Sequence, residues 1–191
     1  MGKDSNCKEI NTCRVCGSDE LSEILSLGSL FVSNFIENTQ EEAGGERYPL
    51  TLVLCDAARG GCGLLQLKHT VSPKMMYRNY WYRSGVNKTM TAELEGIAAR
   101  VEEIIGLSAG DFVIDVGCND GTLLGSYKNL GVVRVGFEPA RNLIRYAEMR
   151  AAKVFNDFFS AARFQKEFGG VKAKVVTAVA MFYDLDDPNA F

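Results

Sequence analysis

Hydrophobic and polar positions follow three patterns along the chain, and each pattern predicts a different kind of structure. Up to about residue 70 the apolar runs are short, as in YPLTLVLC and GLLQL, and the glycine-rich stretch EEAGGE interrupts them. Short apolar runs bounded by turn residues are typical of β-strands. Residues 1–70 are therefore predicted to form a small, loop-rich β module with little core of its own.

The second pattern, in residues 71–108, combines aromatic residues with a helical repeat. The stretch MMYRNYWYRSG is followed by apolar residues that recur at helical spacing from Met90 to Ile105. Asn87 or Thr89 is suited to the N-cap of this helix, and Gly106 is suited to its end. This region is predicted to be an aromatic linker followed by a helix with one buried face.

The third pattern, in residues 109–191, alternates strands with helices. Strands are predicted in FVIDV, VVRVGFE, KVFN and AKVVTAVAMF, and helices in TLLGSYKNLG, ARNLIRYAEMR and AARFQKEFGG. Such alternation favours an α/β fold with a parallel sheet and right-handed crossovers. The closing DLDDPNAF reads as the start of another helix, with Asp187 as its N-cap. We therefore expect the first half of an α/β domain that belongs to a longer protein.

Charge and targeting signals exclude two classes of partner. The chain has 21 Lys and Arg against 24 Asp and Glu, a net charge of -3 without a long run of one sign, which argues against a nucleic-acid binder. The N-terminal residues lack an apolar segment of the signal-peptide type, and the chain has no run long enough to span a membrane. A cytoplasmic protein that contacts neither nucleic acid nor membrane is expected.

Four of the six cysteines have the arrangement of metal ligands. Reducing compartments favour metal binding by cysteines over disulfide formation. Cys13-x-x-Cys16 is a knuckle that can present two thiolates to Zn²⁺. Cys55 and Cys62 have six residues between them, whereas the cysteines of a zinc knuckle usually have about two to four. Nearby glycines permit a looped-out second knuckle. These four cysteines predict a structural zinc site, with a metal-free, reduced module as the alternative.

The stretch VIDVGCNDGT carries a buried strand into a Gly-rich turn and then into a helix. We call residues 117–121 the glycine turn. Such a turn places backbone N–H groups at the carboxyl edge of a parallel sheet, where cofactors bind. Neither the dinucleotide pattern G-x-G-x-x-G nor the triphosphate pattern G-x-x-x-x-G-K-[ST] is present. A different cofactor is therefore indicated.

The spacing Asp115-x-Gly117-x-x-x-Gly121 resembles the first motif of class I methyltransferases, which use S-adenosylmethionine and have a Rossmann-like sheet. The resemblance implies that the turn packs against the methionine end and ribose of this cofactor. It also implies an acid after the second strand that binds the ribose hydroxyls. Glu138 lies about 20 residues after Asp115, as expected for a ribose-binding acid.

A third feature of the resemblance lies after the third strand, where the family has an acidic or polar residue beside the adenine. Asp157 and Phe158 occupy this place, although a loop followed by core aromatics is the alternative. Cys118 within the turn is interpreted as a small packing residue in preference to a reactive thiol. The cofactor-binding residues implied are Asp115, Gly117, Cys118, Asn119, Gly121, Glu138, Pro139, Asp157, Phe158 and Ser84.

The order of the motifs is more specific than any one of them. The CxxC knuckle, YPLTLVLC, CGLLQL, YWYRSG, VIDVGCNDGTLL and GFEPA together look like the sugar C-methyltransferases. The resemblance implies C-methylation of a nucleotide-linked deoxy-keto sugar, with S-adenosylmethionine and structural zinc as cofactors. It also implies that a C-terminal portion of the same enzyme is missing, so that this portion alone is inactive.

The general base is the least defined part of this interpretation. Relatives have a His after the fourth strand, where AVAMFYDLDDP has none. Tyr183 or Asp184 could face the site, but a packing Tyr and a helix-capping Asp explain them equally well. Tyr80, Tyr82 and Ser84 match the family's Y-x-Y-x-S-G segment, or else serve only to pack the linker. Tyr183 and Tyr82 are the catalytic candidates.

Two other functions stay open at this point. One is a methyltransferase of the same fold that acts on oxygen or nitrogen of another small molecule. The other is a non-catalytic module that combines a zinc ribbon with a nucleotide-binding domain; the cysteine pattern favours it, and the lack of a basic patch speaks against it.

Overall fold

A computed structural model describes residues 6–32 and 46–191. The chain divides into two compact units: the first contains residues up to Met76 together with Tyr183–Phe191, and the second contains Tyr77–Phe182. Within the described ranges, no helix is both long enough and apolar enough to cross a bilayer.

The first unit contains two small antiparallel sheets. Strands β1 and β5 pair in one sheet, and the other has the order β2-β3-β4. A short helix α1 follows the last strand. The bounds are β1 Cys7–Glu9, β2 Leu21–Phe31, β3 Arg47–Cys55, β4 Leu65–Leu67, β5 His69–Val71 and α1 Pro73–Tyr77. Strands β1, β4 and β5 have three residues each, whereas β2 has 11 and β3 has 9.

Among the described residues of the first unit, few apolar side chains are buried. Alternate residues of β3 are buried, as expected for a strand with one covered face, and they are Thr51, Val53 and Cys55. Cys13 and Gln66 are buried with them. A buried set that consists largely of sulfur and polar groups supplies little hydrophobic stabilisation, so a unit of this size needs another source of stability.

The second unit contains the helix that the sequence predicts after the aromatic stretch. Helix α2 spans Lys88–Ile105, and the Asn87 side chain accepts hydrogen bonds from the N–H groups of Thr89 and Met90. Gly106 ends the helix in the left-handed conformation, and its N–H donates to the carbonyl of Glu102. The predicted N-cap at Asn87 and the predicted stop at Gly106 are both confirmed.

A four-stranded parallel sheet forms the centre of the second unit, in the order β8-β7-β6-β9. This sheet confirms the predicted α/β alternation. The bounds are β6 Phe112–Val116, α3 Thr122–Gly125, β7 Val133–Phe137, α4 Ile144–Ala147, β8 Lys153–Phe155, α5 Ala161–Phe168 and β9 Val175–Thr177.

Apolar clusters cover both faces of this sheet. Since successive residues of a strand point to opposite faces, Val113 joins a cluster with Leu94 and Ala98 of α2. Ile114 belongs to a second cluster that includes Phe164 of α5. Two covered faces are the usual arrangement for a parallel sheet, and they fix the carboxyl ends of β6 and β7 beside each other.

Several helices are shorter than the sequence predicts. The helix expected over residues 122–131 ends at Gly125, and the Ser126 hydroxyl donates to the carbonyl of Thr122 at 2.7 Å. The side chain of Asn129 donates to the carbonyl of Leu107 at 2.8 Å, which holds residues after Gly125 in a turn. The helix expected over residues 140–150 is likewise shorter and comprises only α4. The last strand ends at Thr177 instead of continuing to Phe182.

The helix expected to start at Asp187 is absent from the described residues 185–191, which form bends and turns. The Asp187 side chain nevertheless accepts a hydrogen bond from the N–H of Ala190 at 3.0 Å, as an N-cap would. Asp187 thus makes the hydrogen bond of an N-cap, but the predicted helix does not follow it in the described residues.

Candidate metal centre and cofactor site

Four cysteine side chains converge in the first unit. Their Sγ atoms all lie within 4.8 Å of one another: Cys13, Cys16, Cys55 and Cys62. The distance is 3.7 Å between the Sγ atoms of Cys13 and Cys62, and 3.5 Å between those of Cys16 and Cys55. Four thiolates at about 2.3 Å from a tetrahedral Zn²⁺ are separated by about 3.8 Å. The set predicted from the sequence therefore has the spacing of a closed, structural zinc site.

The second knuckle closes the wide gap between Cys55 and Cys62 with a compact loop. Residues 57–59 form one turn of 3₁₀ helix, capped by the side chain of Asp56. Gly61 then passes so close that a Cβ there would lie 2.6 Å from Cys55 Sγ. This approach lets the N–H of Cys62 donate to Cys55 Sγ at 3.2 Å. The loop thus gives the widely spaced pair the geometry of an ordinary knuckle.

Gln66, on β4, lies behind the first knuckle and is 8% exposed. Its Nε2 donates to Cys13 Sγ at 3.2 Å. Its Oε1 accepts hydrogen bonds from the backbone N–H and the guanidinium of Arg14, at 3.1 and 3.2 Å. Hydrogen-bonded partners of this kind orient metal ligands and tune their charge. The sequence carried no signal for this residue, because its partners are more than 50 positions away.

The thiol of Cys13 is prepared for metal binding. Burial acts to raise the pKa of Cys13, but hydrogen bonds from the backbone of Cys16 and Val15 and from the Gln66 amide outweigh it and lower the pKa to about 6. Metals bind the thiolate and not the thiol. The spacing of the four sulfur donors therefore fits Zn²⁺, and Cys13 is the ligand whose thiolate is favoured before a metal binds.

In the second unit the glycine turn is tied to the end of the neighbouring strand. The N–H groups of Gly117 and Cys118 both donate to the carbonyl of Phe137, at 2.8 and 3.0 Å. Gly121 closes the turn by donating to the carbonyl of Cys118 at 2.8 Å. Its φ is 76°, and a Cβ there would lie 3.0 Å from Cα of Ala147. Only glycine fits both conditions.

Glu138 joins the glycine turn to the end of β7. Its carboxylate is 5% exposed, with Oε2 accepting from the N–H of Asn119 at 2.7 Å and Oε1 accepting from the N–H of Ala140 at 2.7 Å. Each carboxylate oxygen can accept more than one hydrogen bond. Glu138 therefore keeps acceptor capacity for hydroxyl groups of a ligand while it fixes the turn.

Asp115 performs a different task from Glu138. It is 4% exposed and accepts a hydrogen bond from the Thr177 hydroxyl on β9 at 2.7 Å. The Asp115 carboxyl thus ties the base of the glycine turn to the adjacent strand. The sequence offers no signal for Thr177, because its partner Asp115 lies in a distant segment.

Burial raises the pKa of both carboxyl groups at this edge of the sheet. It raises the pKa of Asp115 to about 7, against the hydrogen bond from Thr177, which lowers it, and with a further increase from the charge of Glu138. Burial also raises the pKa of Glu138 to about 7, although the N–H groups of Ala140 and Asn119 lower it. Strongly shifted carboxyl groups beside a glycine turn are typical of functional sites.

Asp157 and Phe158 lie after β8, as predicted, but the Asp157 carboxylate is already engaged. It accepts hydrogen bonds from Arg78 at 2.8 Å and from Arg163. The Arg78 guanidinium also lies 5.0 Å from the centroid of the Phe158 ring. A ligand amine would have to compete with these arginines for the carboxylate, so the backbone of Asp157 is the better candidate contact.

Pro139 lies beside Glu138 and is held by a neighbouring turn. The Asn156 side chain donates to the carbonyls of Glu138 and Pro139, at 2.9 and 3.3 Å. The turn after β8 is therefore bonded to the turn after β7. Cys118 is buried, and its Sγ lies where a Cβ on Gly136 would come within 2.5 Å, so this residue packs inside the unit.

Two of the predicted linker residues contact the glycine turn. The N–H of Ser84 donates to Oδ1 of Asn119 at 2.9 Å, and the carbonyl of Tyr82 accepts from Nδ2 of Asn119 at 3.0 Å. Tyr183 belongs to the first unit and is 77% exposed. The structure thus groups Ser84 and Tyr82 with Asp115, Gly117, Cys118, Asn119, Gly121 and Glu138.

Comparisons with known proteins match both parts of the chain. Residues 13–77 match a family model described as a putative zinc binding domain, and this range includes all four clustered cysteines. The chain is also 31% identical over 155 residues to the C-methyltransferase NovU of Streptomyces niveus, which covers 81% of this chain and 36% of the relative. The chain therefore spans about a third of the length of the curated relative that it matches.

The two matches confirm the resemblance to C-methyltransferases that carry a zinc-binding domain at the N-terminus. The likeness to NovU supports a methyltransferase, and hence an enzyme. The zinc-domain match and the cysteine geometry both support zinc binding.

Proposed function

We propose, on the premise that this chain is related to C-methyltransferases with an N-terminal zinc-binding domain, that it forms the donor-binding portion of an S-adenosylmethionine-dependent enzyme. The acceptor in this proposal is a nucleotide-linked deoxy-keto sugar. Residues 1–70 are the zinc module, 71–108 the aromatic linker and helix, and 109–191 the first part of a Rossmann-like, class I methyltransferase domain.

One observation carries the proposal: the buried carboxylate of Glu138 and the glycine turn form a single bonded unit, joined by the N–H of Asn119 at 2.7 Å. A turn without the phosphate-binding patterns, together with an acid at the end of the next strand, suits a nucleoside whose ribose hydroxyls need an acceptor. The strand order β8-β7-β6-β9 supports the same conclusion, because β6 lies at the point where the direction of strand addition reverses, and ligands bind there in open α/β sheets.

The chemistry divides among the residues as follows. S-adenosylmethionine supplies an electrophilic methyl group when bound. Glu138 accepts hydrogen bonds from the ribose hydroxyls, the glycine turn allows close backbone approach, and the backbone of Asp157 with the Phe158 ring offers a place for the adenine. Tyr82 and Tyr183 stay our candidates for the base that removes a proton beside the acceptor's keto group.

Calorimetric titration with S-adenosylhomocysteine, the demethylated product, tests donor binding. We expect the wild-type chain to bind it, and Glu138→Gln to weaken binding by about tenfold or more, as expected for loss of hydrogen bonds to a charged group. Glu148→Gln is the matched control, because Glu148 follows α4 and is exposed. Preferential binding of NAD, or equal affinities of the two variants, would contradict the assignment.

Turnover separates binding from catalysis. The chain spans about a third of its relative, so we expect residues 1–191 alone to bind the donor without methylating candidate sugar nucleotides. Product analysis by mass spectrometry after incubation with donor and acceptor checks this expectation, and clear methyl transfer by these residues would refute it.

A further inference from the structure

The linker before α2 is bonded to the two turns that carry the proposed donor site. We call residues 78–86 the strap. At its first end, the carbonyl of Arg78 accepts a hydrogen bond from the N–H of Arg141 at 3.1 Å. The side chain of Asn142 then bonds the backbone of Tyr80 on both sides, accepting from its N–H at 3.1 Å and donating to its carbonyl at 2.8 Å. These partners, Arg141 and Asn142, lie three and four positions after Glu138 in the chain.

The second end of the strap is bonded to the glycine turn. Asn119 bonds the backbone of Tyr82 and Ser84, as described above, and its φ of 54° is rare for a residue other than glycine. Asp120 continues this series, because its Oδ2 accepts a hydrogen bond from the N–H of Gly85 at 3.0 Å. The strap is thus held by side chains from the turns after β6 and β7.

Asp120 is the most buried carboxyl group in this series, and the methyl-transfer chemistry leaves it unused. It is 1% exposed. Its Oδ1 accepts from the hydroxyl and N–H of Thr122, at 2.6 and 3.2 Å. The guanidinium of Arg150 lies 3.4 Å from Oδ2, and that of Arg83 lies 3.8 Å from it. A buried carboxylate with this many donors is fixed in place, so its bond to Gly85 holds the strap firmly.

We propose that Asp120 and Asn142 are positioning residues that hold the strap against the donor site, so that donor binding and the arrangement of Tyr80, Tyr82 and Ser84 are coupled. This inference rests on the proposed function. It assigns to the two side chains a role that acts through the strap, without contact to the donor, and it predicts that the strap senses the donor.

The chain contains its own reporter for this coupling. Trp81 is the single tryptophan, it lies within the strap, and it is 45% exposed. Its ring centroid is 5.9 Å from that of Tyr80 and 5.8 Å from that of Tyr82. A change in the strap therefore changes the surroundings of the only tryptophan, and its fluorescence reads this directly.

The experiment compares two identical changes, Gly85→Ala and Gly96→Ala. A Cβ on Gly85 would lie 2.7 Å from both Asp120 Oδ2 and Thr122 Oγ1, whereas a Cβ on Gly96, in α2, would meet nothing within 4 Å. Gly85→Ala should therefore displace the strap from Asp120. Asn142→Ala removes the other attachment and provides an independent variant.

S-adenosylhomocysteine is titrated into each variant, with heat and Trp81 fluorescence recorded in parallel and folding checked by thermal unfolding. Wild type and Gly96→Ala should show a fluorescence change that follows the heat of binding. Gly85→Ala and Asn142→Ala should lose most of this change and bind about tenfold more weakly. Wild-type affinity and an unchanged Trp81 response in both strap variants would overturn the inference, as would an equal loss in Gly96→Ala.

Iodide quenching of Trp81 without ligand separates failure of this inference from failure of the proposed function. Absence of any heat with wild type would reject donor binding, and with it the coupling. Docking of the strap would then still be judged by quenching, which should be stronger in Gly85→Ala than in Gly96→Ala. Equal quenching in these two variants would show that Asp120 does not hold the strap.

Discussion

The two units of the chain bury different chemistry. In the first unit the buried residues include Cys13, Cys55, Thr51 and Gln66, and little apolar surface is removed from water. In the second unit, aliphatic and aromatic side chains cover both faces of a parallel sheet. Burial of apolar side chains contributes hydrophobic stabilisation to the second unit, whereas the described residues of the first unit offer little of it, so we expect this unit to depend on a bound metal ion.

The two units also treat buried charge differently. In the first, the amide of Gln66 donates a hydrogen bond to Cys13 Sγ and favours the thiolate of this cysteine. In the second, burial favours the protonated forms of Asp115 and Glu138. Hydrogen bonds thus favour the charged form of Cys13 in the first unit, whereas burial favours the neutral forms of Asp115 and Glu138 at the proposed donor site.

Loss of one thiolate should have the largest effect on stability, and it should affect the first unit without affecting the second. We expect Cys55→Ser to reduce zinc from about one ion per chain to nearly none and to unfold the first unit, because binding of structural zinc is worth about 10–16 kcal/mol. Metal analysis and amide NMR spectra measure the two effects. The second unit should keep its spectrum.

Cys7→Ser is the control for this change, because Cys7 lies in β1 outside the four-cysteine cluster. Its zinc content should equal that of wild type. If the first unit kept its dispersed NMR spectrum without bound metal, its stability would not depend on the metal. The contrast drawn between the two units would then be wrong.

The opposite perturbation is Phe137→Ala in the second unit. Phe137 is 0% exposed, and its ring stacks on Phe155 with centroids 4.5 Å apart. Removing a buried phenylalanine costs about 3–5 kcal/mol, so denaturant unfolding of the second unit should shift by this amount. Zinc content should stay unchanged. Leu130→Ala, at a residue 80% exposed, should shift neither quantity.

Features with local signals could be predicted from the sequence. Helix α2 and its ends at Asn87 and Gly106 follow from periodicity and capping residues that are close together in the chain. The strands of the parallel sheet follow from short apolar runs. The cysteine cluster and the pairing of the glycine turn with Glu138 follow from the spacing of these residues in the sequence.

Features that depend on distant partners could not be predicted. The helix after the glycine turn is short because Asn129 bonds to a carbonyl beyond the end of α2. Gln66 and Asn142 are ordinary polar residues in the sequence, and only the fold brings them to Cys13 and Tyr80. Contacts of this kind override intrinsic helix propensity and carry no pattern that one sequence reveals.

The pH dependence of stability should differ between the units. In the second unit, unfolded Asp115 and Glu138 lose their protons near their ordinary pKa values of 3.8 and 4.5, whereas both fold with a pKa of about 7. Between about pH 4 and 7 the folded state therefore holds more protons than the unfolded state. Its free energy of unfolding should fall as pH rises through this window, on the order of 3 kcal/mol for one such group.

Urea unfolding of the second unit at several pH values measures this slope. Glu138→Gln should make the dependence of the unfolding free energy on pH less steep, since an amide does not titrate and only Asp115 then contributes. Glu148→Gln should leave this dependence as in wild type. A free energy of unfolding that rises from pH 4 to 7 would mean that these carboxyl groups are stabilised as anions, and would remove the contrast in buried charge between the units.

The smallest effect we expect concerns the hydrogen bond behind the zinc centre. Gln66→Met keeps the length of the side chain but cannot donate to Cys13 Sγ, and it also removes the side-chain oxygen that accepts from the backbone N–H of Arg14. Loss of such a partner weakens metal affinity by about 10–100-fold, which competition with a chromophoric chelator measures. Gln165→Met, at an exposed position in α5, is the matched control. Zinc content at saturation should stay at one ion, because all four thiolates remain. Equal affinity in the two variants would mean that the cysteines alone define the centre, and that the first unit is stabilised by its metal without help from its buried polar residues.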